Sequence, residues 1–319
     1  MSSRVLVTGA DGFIGKRLCQ VLLDNGYTVR AALRRPPHNT ELAGVEHVII
    51  GDIGSDSRWE ETLKNVDYVV HLAARVHVMN ESVRDPLTEY REVNTAGTAR
   101  LARQAAAQGV KRFIYISSIK VNGDATTGRP FSADDRPDPQ DPYGVSKAEA
   151  EQQLREISKQ MNMEVVTVRP PLVYGSGVGG NFLRLMRLVG SGVPVPLASI
   201  RNARSMVSLN NLTDLLLRCL EHPGAANETF LVSDGVDWST PALLRCIAQH
   251  MDISVRLFPF PPAFLRLAGR VSRQSGVVNR LCDSLEVDIG KTRRRLDWVP
   301  LQPPSEAVRE TVEWYLRTT

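Results

Sequence analysis

The sequence contains few cysteines and no pair of them spaced as a redox or metal motif. Among its 319 residues are four cysteines, and no two form a Cys-x-x-Cys pair; they are Cys19, Cys219, Cys246 and Cys282. Each has an apolar residue directly beside it, which is typical of a small side chain packed in a core. We therefore expect neither a disulfide framework nor a metal site, and we expect a reducing compartment such as the cytoplasm.

The sequence also lacks a long apolar run and a strong excess of one charge. Met1 to Arg4 lead directly into Val5-Leu6-Val7, which is too short for a signal peptide or a membrane span. The net charge is only +4, and Lys and Arg are spread along the chain. Neither a nucleic-acid partner nor stable membrane insertion is indicated. A hydrophobic fraction of 42% and a charged fraction of 23% are ordinary for a globular protein.

A glycine-rich turn follows the first apolar run. Arg4 to Thr8 predict a short buried strand, then come Gly9, Gly12 and Gly15, and a helical pattern extends to Asn25. A turn of this kind between strand and helix lets the backbone approach a pyrophosphate, which the N–H groups and dipole of the helix N-terminus then bind. The spacing is G-x-x-G-x-x-G rather than the commoner G-x-G-x-x-G.

Further strands alternate with helices along the first half of the chain. The pattern predicts strands at 29–33, 45–50, 66–72, 112–116 and 165–169, and it predicts helix over most of 79–108 and 143–161. This alternation indicates an α/β protein with a doubly wound parallel sheet, whose ligands bind at the carboxyl ends of the strands. We expect a dinucleotide-binding domain over residues 1–169 and a smaller substrate-binding lobe over 170–319.

The end of the second strand bears on the choice of cofactor. NAD-binding folds usually carry Asp or Glu there for the ribose 2′-hydroxyl, but this sequence has Leu33 followed by Arg34 and Arg35. Guanidinium groups match phosphate geometry, so the pair favours NADP(H), with NAD(H) as the alternative. After the third strand, Asp52 is a candidate partner for an adenine amino group.

A tyrosine and a lysine four residues apart begin the helix predicted at 143–161. Residues at this spacing share one face of a helix, so the Tyr143 hydroxyl and the Lys147 ammonium are expected to lie close together. A neighbouring cation lowers the pKa of a phenol, which would make Tyr143 a proton donor and acceptor. The pair could equally be an ordinary helix surface if nothing else in the chain supported it.

The second half of the sequence predicts shorter elements separated by turns. Pro170 to Gly175 predict a rigid turn, strands are expected at 205–209, 229–232 and 253–258, and Pro259 to Pro262 interrupt the chain. The helical stretch Ala263 to Ser272 carries arginines on one side and apolar residues on the other. It is either a lid or packing helix, or a helix on a membrane surface.

Taken in order, the motifs resemble those of the extended short-chain dehydrogenase/reductase family in its UDP-glucose 4-epimerase-like branch. The motifs are Thr8 to Gly15, Gly51-Asp52-Ile53, His71-Leu72-Ala73-Ala74, Asn94, Ser117-Ser118, Tyr143 with Lys147, Arg169-Pro170, and Leu296 to Pro300. The resemblance implies a Rossmann-type fold. It also implies a cofactor site built from Gly9, Asp11, Gly12, Phe13, Ile14, Gly15, Arg34, Arg35, Asp52, Ile53, Leu72, Ala73, Ala74, Asn94, Ser117, Tyr143, Lys147 and Pro170.

By the same resemblance, Tyr143 is the catalytic acid and base, Lys147 supports it, and Ser118 binds the reacting sugar oxygen. The implied substrate-binding residues in the second lobe are Ser118, Asn181, Arg204, Arg280 and Asp283. Asn181 could instead serve only to begin a helix, and Arg204 could be a surface arginine. Relatives pair as homodimers through helices matching 95–108 and 143–161, so we expect a homodimer, with Ala102, Ala105 and Ala106 allowing close packing.

Departures from the family pattern narrow the expected activity. The 4,6-dehydratases carry an acid pair after the catalytic-site hydroxyl, where this chain has Ile119-Lys120, so dehydration is disfavoured. Arg34 and Arg35 favour consumption of a reduced cofactor. Arg75 to Asn80 and Val121-Asn122-Gly123 resemble a subgroup found with bacterial O-antigen pathways. We therefore expect a reductase of a UDP-4-keto-6-deoxy-N-acetylhexosamine, with a UDP-sugar 4-epimerase as the alternative and a non-catalytic nucleotide sensor as a rival of another class.

Overall fold

The main sheet is entirely parallel. The computed structural model describes residues 2–36, 44–76 and 85–319, and within them seven strands pair in the order β3-β2-β1-β4-β5-β6-β9. Their bounds are β1 Arg4–Thr8, β2 Thr28–Leu33, β3 Val45–Ile49, β4 Tyr68–His71, β5 Arg112–Ile116, β6 Glu164–Arg169 and β9 Thr229–Leu231. The predicted doubly wound α/β fold is confirmed, because each strand runs parallel to its neighbours and helices connect them.

The two faces of this sheet are covered by different helices. On one face, α1 Phe13–Asp24 and α6 Leu209–Glu221 contribute Leu18, Leu22, Leu212 and Leu216 to a buried core. On the other face lie α3 Thr98–Ala107 and α4 Pro142–Gln160. The central strands β1, β4 and β5 are therefore buried on both sides, which explains why their sequences are mostly apolar, whereas the edge strand β3 is partly exposed.

The remaining elements build a second core beside the carboxyl edge of the sheet. A two-stranded parallel sheet pairs β7 Leu172–Tyr174 with β8 Met206–Ser208. The helices of this part are α5 Gly180–Gly190, α7 Thr240–His250, α8 Pro262–Val271, α9 Ser275–Cys282 and α11 Pro304–Thr318. Helix α10, Gly290–Leu296, instead lies beside β9 and contributes Leu296 to the core of the main sheet. Phe182, Met186, Leu244, Ile247 and Val312 are among the side chains buried in this core. The segment from Pro170 to Gly175 is thus a short strand between bends, not only the expected turn.

Two element predictions need correction. Residues 253–258 form no strand; Leu257 makes an isolated bridge to Val195. Pro194 and Pro196 flank Val195 and carry no N–H, so a ladder cannot extend there. The helix expected over 79–108 is described only from residue 85, where α2 Pro86–Tyr90 continues through a π-helical turn, Arg91–Gly97, into α3. The remainder of that prediction, and most of the subgroup motif at 75–80, lie outside the described residues.

The alanines proposed to allow dimer packing face inward. Ala102 and Ala105 are fully buried against the sheet, whereas Arg100 and Arg103 occupy the exposed side of α3. Which side of α3 faces the sheet determines whether these alanines are accessible, and the number of alanines in the sequence does not give that orientation. A homodimer remains a prediction without their support. No helix in the described parts of the chain is long and apolar enough to cross a membrane.

Candidate active site

The glycine turn between β1 and α1 permits close backbone contacts that larger residues would prevent. Gly9 has φ +65°, and a Cβ added to it would lie 2.9 Å from the backbone nitrogen of Ala73. A Cβ on Gly15 would lie 2.1 Å from the Gly9 carbonyl oxygen. The Gly12 N–H donates to that same oxygen at 3.0 Å. The turn is therefore compact because of its three glycines, and it leaves a shallow cradle against α1.

The first turn of α1 suits an anion. Gly12 begins the helix, no side chain among the described residues caps it, and the first turn carries no acidic residue. Its N–H groups and the positive end of the helix dipole thus meet no competing carboxylate. Asp11 is exposed, while Phe13 and Ile14 pack against the two lobes. This cradle fits the pyrophosphate of a dinucleotide.

His71 ties the cradle to the next strand. Its Nδ1 lies 2.7 Å from the Thr8 Oγ1, and its Nε2 lies 2.9 Å from the Thr98 Oγ1. The Ala73 N–H donates to the Thr8 hydroxyl at 3.2 Å, which orders Leu72 to Ala74 beside Gly9. Burial, and then the positive charge of Lys147, lower the pKa of His71 to about 3. A neutral imidazole therefore serves as a structural link, a role that the sequence motif alone did not show.

Asn94 lies in the π-helical turn and is buried. Its Oδ1 accepts from the Arg75 backbone N–H at 2.8 Å, and its Nδ2 donates to the Arg75 carbonyl at 3.0 Å and to the Ser146 hydroxyl at 3.0 Å. It therefore braces the chain after β4 against α4. Ile53, also expected at the cofactor site, packs where Gly97 has no side chain.

The arginines after β2 lie at the exposed carboxyl edge of the sheet. The side chain of Arg34 is 66% exposed and that of Asp52 is 90% exposed, and their closest charged atoms are 3.9 Å apart. Arg35 is also exposed. Arg34 thus already has an acidic neighbour in Asp52. The two residues are 18 positions apart, so the sequence did not indicate this contact. This ion pair reduces the local positive charge that an additional phosphate would meet.

Tyr143, Lys147 and Ser118 come together between β5 and the start of α4. Asp141 caps α4 by accepting from the Gly144 N–H at 2.7 Å, and Pro142 is the first helical residue. These two residues fix where Tyr143 leaves the loop. The Tyr143 phenol lies near the Ser118 side chain, which acts to lower the pKa of the phenol. The predicted trio is therefore one site in the folded chain.

The pKa of Tyr143 differs from the sequence prediction. Burial, followed by the negative charge of Asp141, raises this pKa above its ordinary value near 10, and the nearby Ser118 side chain opposes the rise. The net shift of the Tyr143 pKa is upward, although the Lys147 Nζ lies 5.9 Å from the centre of the Tyr143 ring. The expected lowering of the Tyr143 pKa by Lys147 is therefore wrong for this structure, because burial outweighs the neighbouring groups that would lower it.

The surroundings of Lys147 shift its own pKa. It is 2% exposed, its Nζ donates to the Ile116 carbonyl at 2.8 Å, and it lies 4.6 Å from the Tyr115 ring centre. Burial lowers its pKa to about 7, against the opposing charge of Glu151. Such a shift is characteristic of a functional cation held out of water.

A buried ion pair lies beneath this site. Glu151 and Arg169 are 0% and 2% exposed, and the guanidinium binds the carboxylate through two hydrogen bonds of 2.6 and 2.8 Å. Ser117 donates its hydroxyl to Glu151 at 2.6 Å, and Arg169 also donates to Asn122 at 2.9 Å. The hydroxyl of Ser117 is thus used within the protein, and its expected contact with a cofactor stays a prediction. Glu151 lies four residues after Lys147, as Lys147 lies four residues after Tyr143. This spacing is the feature of the sequence that could have placed Glu151 on the same side of α4.

Lys120 occupies one of the positions where dehydratases carry an acid. Its Nζ lies 2.6 Å from Asp124 and 3.1 Å from Asp141, so the site does contain carboxylates, although not at positions 119 and 120. Lys120 neutralises the residue that caps α4. Nearby, the Ile119 N–H donates to the Pro170 carbonyl at 3.0 Å, which joins this loop to the end of β6.

Three of the four substrate-lobe predictions lie together. A guanidinium nitrogen of Arg204 donates to the Asp283 carbonyl at 2.9 Å, and Asp283 pairs through its carboxylate with Arg266 at 2.8 Å. Burial, with a smaller contribution from the charge of Arg280, lowers the pKa of Arg204. Asn181 is the second residue of α5, is exposed, and is joined to this group by no described contact. Two neighbouring guanidinium groups favour an anionic ligand.

The comparisons with known proteins agree with this architecture. Residues 5–233 match the NAD dependent epimerase/dehydratase family. A protein of Vibrio cholerae named UDP-glucose 4-epimerase is 47% identical over 99% of this chain and 97% of its own. The chain belongs to this family.

More distant relatives differ in their chemistry. A Pseudomonas aeruginosa GDP-6-deoxy-D-mannose reductase is 29% identical over 93% of this chain and 98% of its own. The solved structure of MoeE5 in complex with UDP-glucuronic acid and NAD has a TM-score of 0.80 and 25% identity, with 99% of this chain and 100% of that one covered. The chain is thus an enzyme of an NAD-dependent family, and the expected preference for NADP(H) is not supported.

Proposed function

We propose that this protein is an NAD-dependent 4-epimerase of a UDP-linked hexose or N-acetylhexosamine. The observation that carries the proposal is the meeting of Tyr143, Ser118 and Lys147 at the carboxyl edge of the sheet, beside a glycine cradle that fits a dinucleotide. The 47% identity to a UDP-glucose 4-epimerase favours epimerisation over the reduction that the sequence alone suggested.

The residues of the site could remove a proton from the sugar C4 hydroxyl and return it. Tyr143 would take the hydroxyl proton as C4 is oxidised to a ketone and return it when the ketone is reduced from the opposite face. Ser118, which lies near the same phenol, would hold that oxygen in place. Bound NAD⁺ would supply the hydride acceptor. A positive charge held beside the phenol would offset the effect of burial on the pKa of Tyr143.

The substrate lobe supplies complementary charge. Arg204 and Arg280 would bind the diphosphate, and Asp283, whose carbonyl holds Arg204, would orient the first of them. Gly9, Gly12 and Gly15 would bind the cofactor pyrophosphate through the backbone at the start of α1. Holding both ligands across one edge of the sheet accounts for much of the expected rate enhancement.

The direct test is an interconversion assay without added reductant. The purified protein with NAD⁺ is given UDP-glucose, UDP-galactose, UDP-N-acetylglucosamine or UDP-N-acetylgalactosamine, and the products are separated by chromatography. We expect one pair of C4 epimers to interconvert with no net formation of NADH. Absence of interconversion for every pair would overturn the proposal.

Reduction of a UDP-4-keto-6-deoxy-N-acetylhexosamine is the second candidate, and one observation favours it. Asn122 stands where epimerases usually have tyrosine, and its amide is committed to Arg169 and to the Ser132 carbonyl. That loop therefore offers the sugar no tyrosine hydroxyl. Oxidation of NADH or NADPH by the keto sugar, without interconversion of any epimer pair, would select this function and connect the protein with surface polysaccharide synthesis. Absence of both activities, with nucleotide-sugar binding retained, would favour a non-catalytic sensor.

A further inference from the structure

Helix α8 exposes an apolar stripe. Phe264, Leu267 and Val271 are 59%, 56% and 80% exposed, and their spacing places them on one side of the helix. Phe260, 36% exposed, precedes the helix and its ring lies 6.1 Å from that of Phe264. We call Phe260, Phe264, Leu267 and Val271 the α8 face.

The opposite side of α8 is already packed. A Cβ on Gly269 would lie 2.7 Å from the Val278 side chain of α9, so the two helices are in close contact there. Leu265 and Val278 pack against the core of the second lobe. The helix cannot rotate to bury the α8 face without losing these contacts. A contiguous stripe of large exposed apolar side chains of this kind marks an interaction surface.

The charge around the α8 face is of one sign. Residues 253–282 contain five arginines and no acidic residue, and all five arginines are exposed; they are Arg256, Arg266, Arg270, Arg273 and Arg280. Arg266 pairs with Asp283, just beyond the segment. Within the described chain, no carboxylate oxygen lies within 4 Å of the guanidinium nitrogens of Arg256, Arg270 or Arg273. The surface therefore combines apolar side chains with uncompensated positive charge.

We propose that the α8 face binds the surface of a membrane that contains anionic phospholipid. An amphipathic helix lies in the interface with its apolar residues among the acyl chains, and flanking arginines bind anionic headgroups. A protein partner would need an apolar groove with an acidic rim, whereas hydrocarbon beneath anionic headgroups supplies both features in one surface. This is peripheral binding, consistent with the absence of a membrane-spanning helix among the described residues.

Such binding would place the substrate lobe at the membrane surface. Arg266 on α8 holds Asp283, and the Asp283 carbonyl holds Arg204. The α8 face is thus one helix away from the residues proposed to bind the diphosphate. The proposal concerns binding to the membrane surface, and it does not depend on whether the reaction is epimerisation or reduction.

Flotation of the full-length protein with vesicles tests the proposal. One set of vesicles contains phosphatidylcholine alone, and the other contains equal parts of phosphatidylcholine and phosphatidylglycerol. We expect the protein to float with the anionic vesicles and not with the neutral ones. Leu267→Glu and, separately, Arg270→Glu should each reduce the bound fraction at least ~10-fold, because one removes apolar contact and the other reverses a charge.

Leu316→Glu is the matched control. Leu316 on α11 is 52% exposed, close to Leu267, but lies outside the α8 face. Its variant should bind vesicles as the unmodified protein does, and all three variants should keep their activity on soluble substrate. Failure of the unmodified protein to float with anionic vesicles would overturn the proposal. So would equal losses in Leu267→Glu and Leu316→Glu, or a dimer in solution that Leu267→Glu dissociates.

Discussion

The positive charges beneath the active site are buried and paired, whereas most of those around the α8 face are exposed and unpaired within the described chain. We call Lys147, Glu151 and Arg169 the floor of the active site. Lys147 and Arg169 are each 2% exposed, and each has defined partners, a backbone carbonyl for one and a carboxylate for the other. Arg270 and Arg273 are exposed, with no carboxylate near them in the described chain. Buried cations change the pKa values and the stability of the fold, whereas exposed ones set which surfaces the protein meets. Substitutions in the two regions should therefore have separable effects.

Tyr143→Phe should give the largest loss. Removing the phenol oxygen takes away the group that moves the proton, so turnover should fall by about 10²- to 10⁴-fold. The NAD affinity should change by less than about twofold, because the ring and the glycine cradle remain. Turnover is measured by chromatography and binding by calorimetry. Turnover within tenfold of the unmodified enzyme would mean that another group moves the proton.

Glu151→Gln tests whether the floor is a stability element. The substitution leaves the Arg169 charge buried without its partner, and it should reduce the free energy of unfolding by about 3–5 kcal/mol. Chemical denaturation measures this loss. Glu313→Gln is the control, since Glu313 pairs with Arg309 at 2.8 Å on the surface, with both side chains nearly half exposed. It should cost less than about 1 kcal/mol. Equal losses would remove the distinction between the buried and exposed pairs.

Lys147→Met should make the protein more stable at low pH while it removes activity. Because burial lowers the pKa of Lys147 to about 7, its charge destabilises the fold fully below that pH. As the pH rises from about 7 towards 10.5, the unfolded chain binds a proton that the folded chain does not, so the stability of the unmodified protein increases. The variant should gain at most roughly 5 kcal/mol at pH 6 and progressively less above pH 7. A gain that is independent of pH would contradict the assignment.

Arg34→Ala should have the smallest effect. Arg34 is exposed and lies 3.9 Å from Asp52, so removing it should alter NAD affinity by only about twofold. Titration with NAD⁺ and NADP⁺ measures this. If the enzyme instead bound NADP⁺ more tightly than NAD⁺, and the variant lost that difference, Arg34 would be a phosphate ligand and the original sequence inference would be restored.

Local patterns predicted much of the fold and the outline of the site. The glycine turn and the Tyr143–Lys147 spacing each involve residues only a few positions apart, so the local sequence was sufficient to predict them. The link between Glu151 and Arg169 joins residues 18 apart across α4 and β6, and no local pattern contained it. The pKa values of Tyr143 and Lys147 depend on burial in the folded chain. The inward orientation of Ala102 and Ala105 likewise follows from how α3 packs on the sheet.

The central claim is that one site oxidises C4 and reduces it again with the same hydride. A UDP-hexose or UDP-N-acetylhexosamine carrying deuterium at C4, chosen from the pair that the enzyme interconverts, tests this directly. The product epimer is examined by mass spectrometry and NMR. We predict that the product keeps the deuterium at C4 and that Tyr143→Phe forms almost no product. Loss of the label from C4, or undiminished product formation by Tyr143→Phe, would contradict the account.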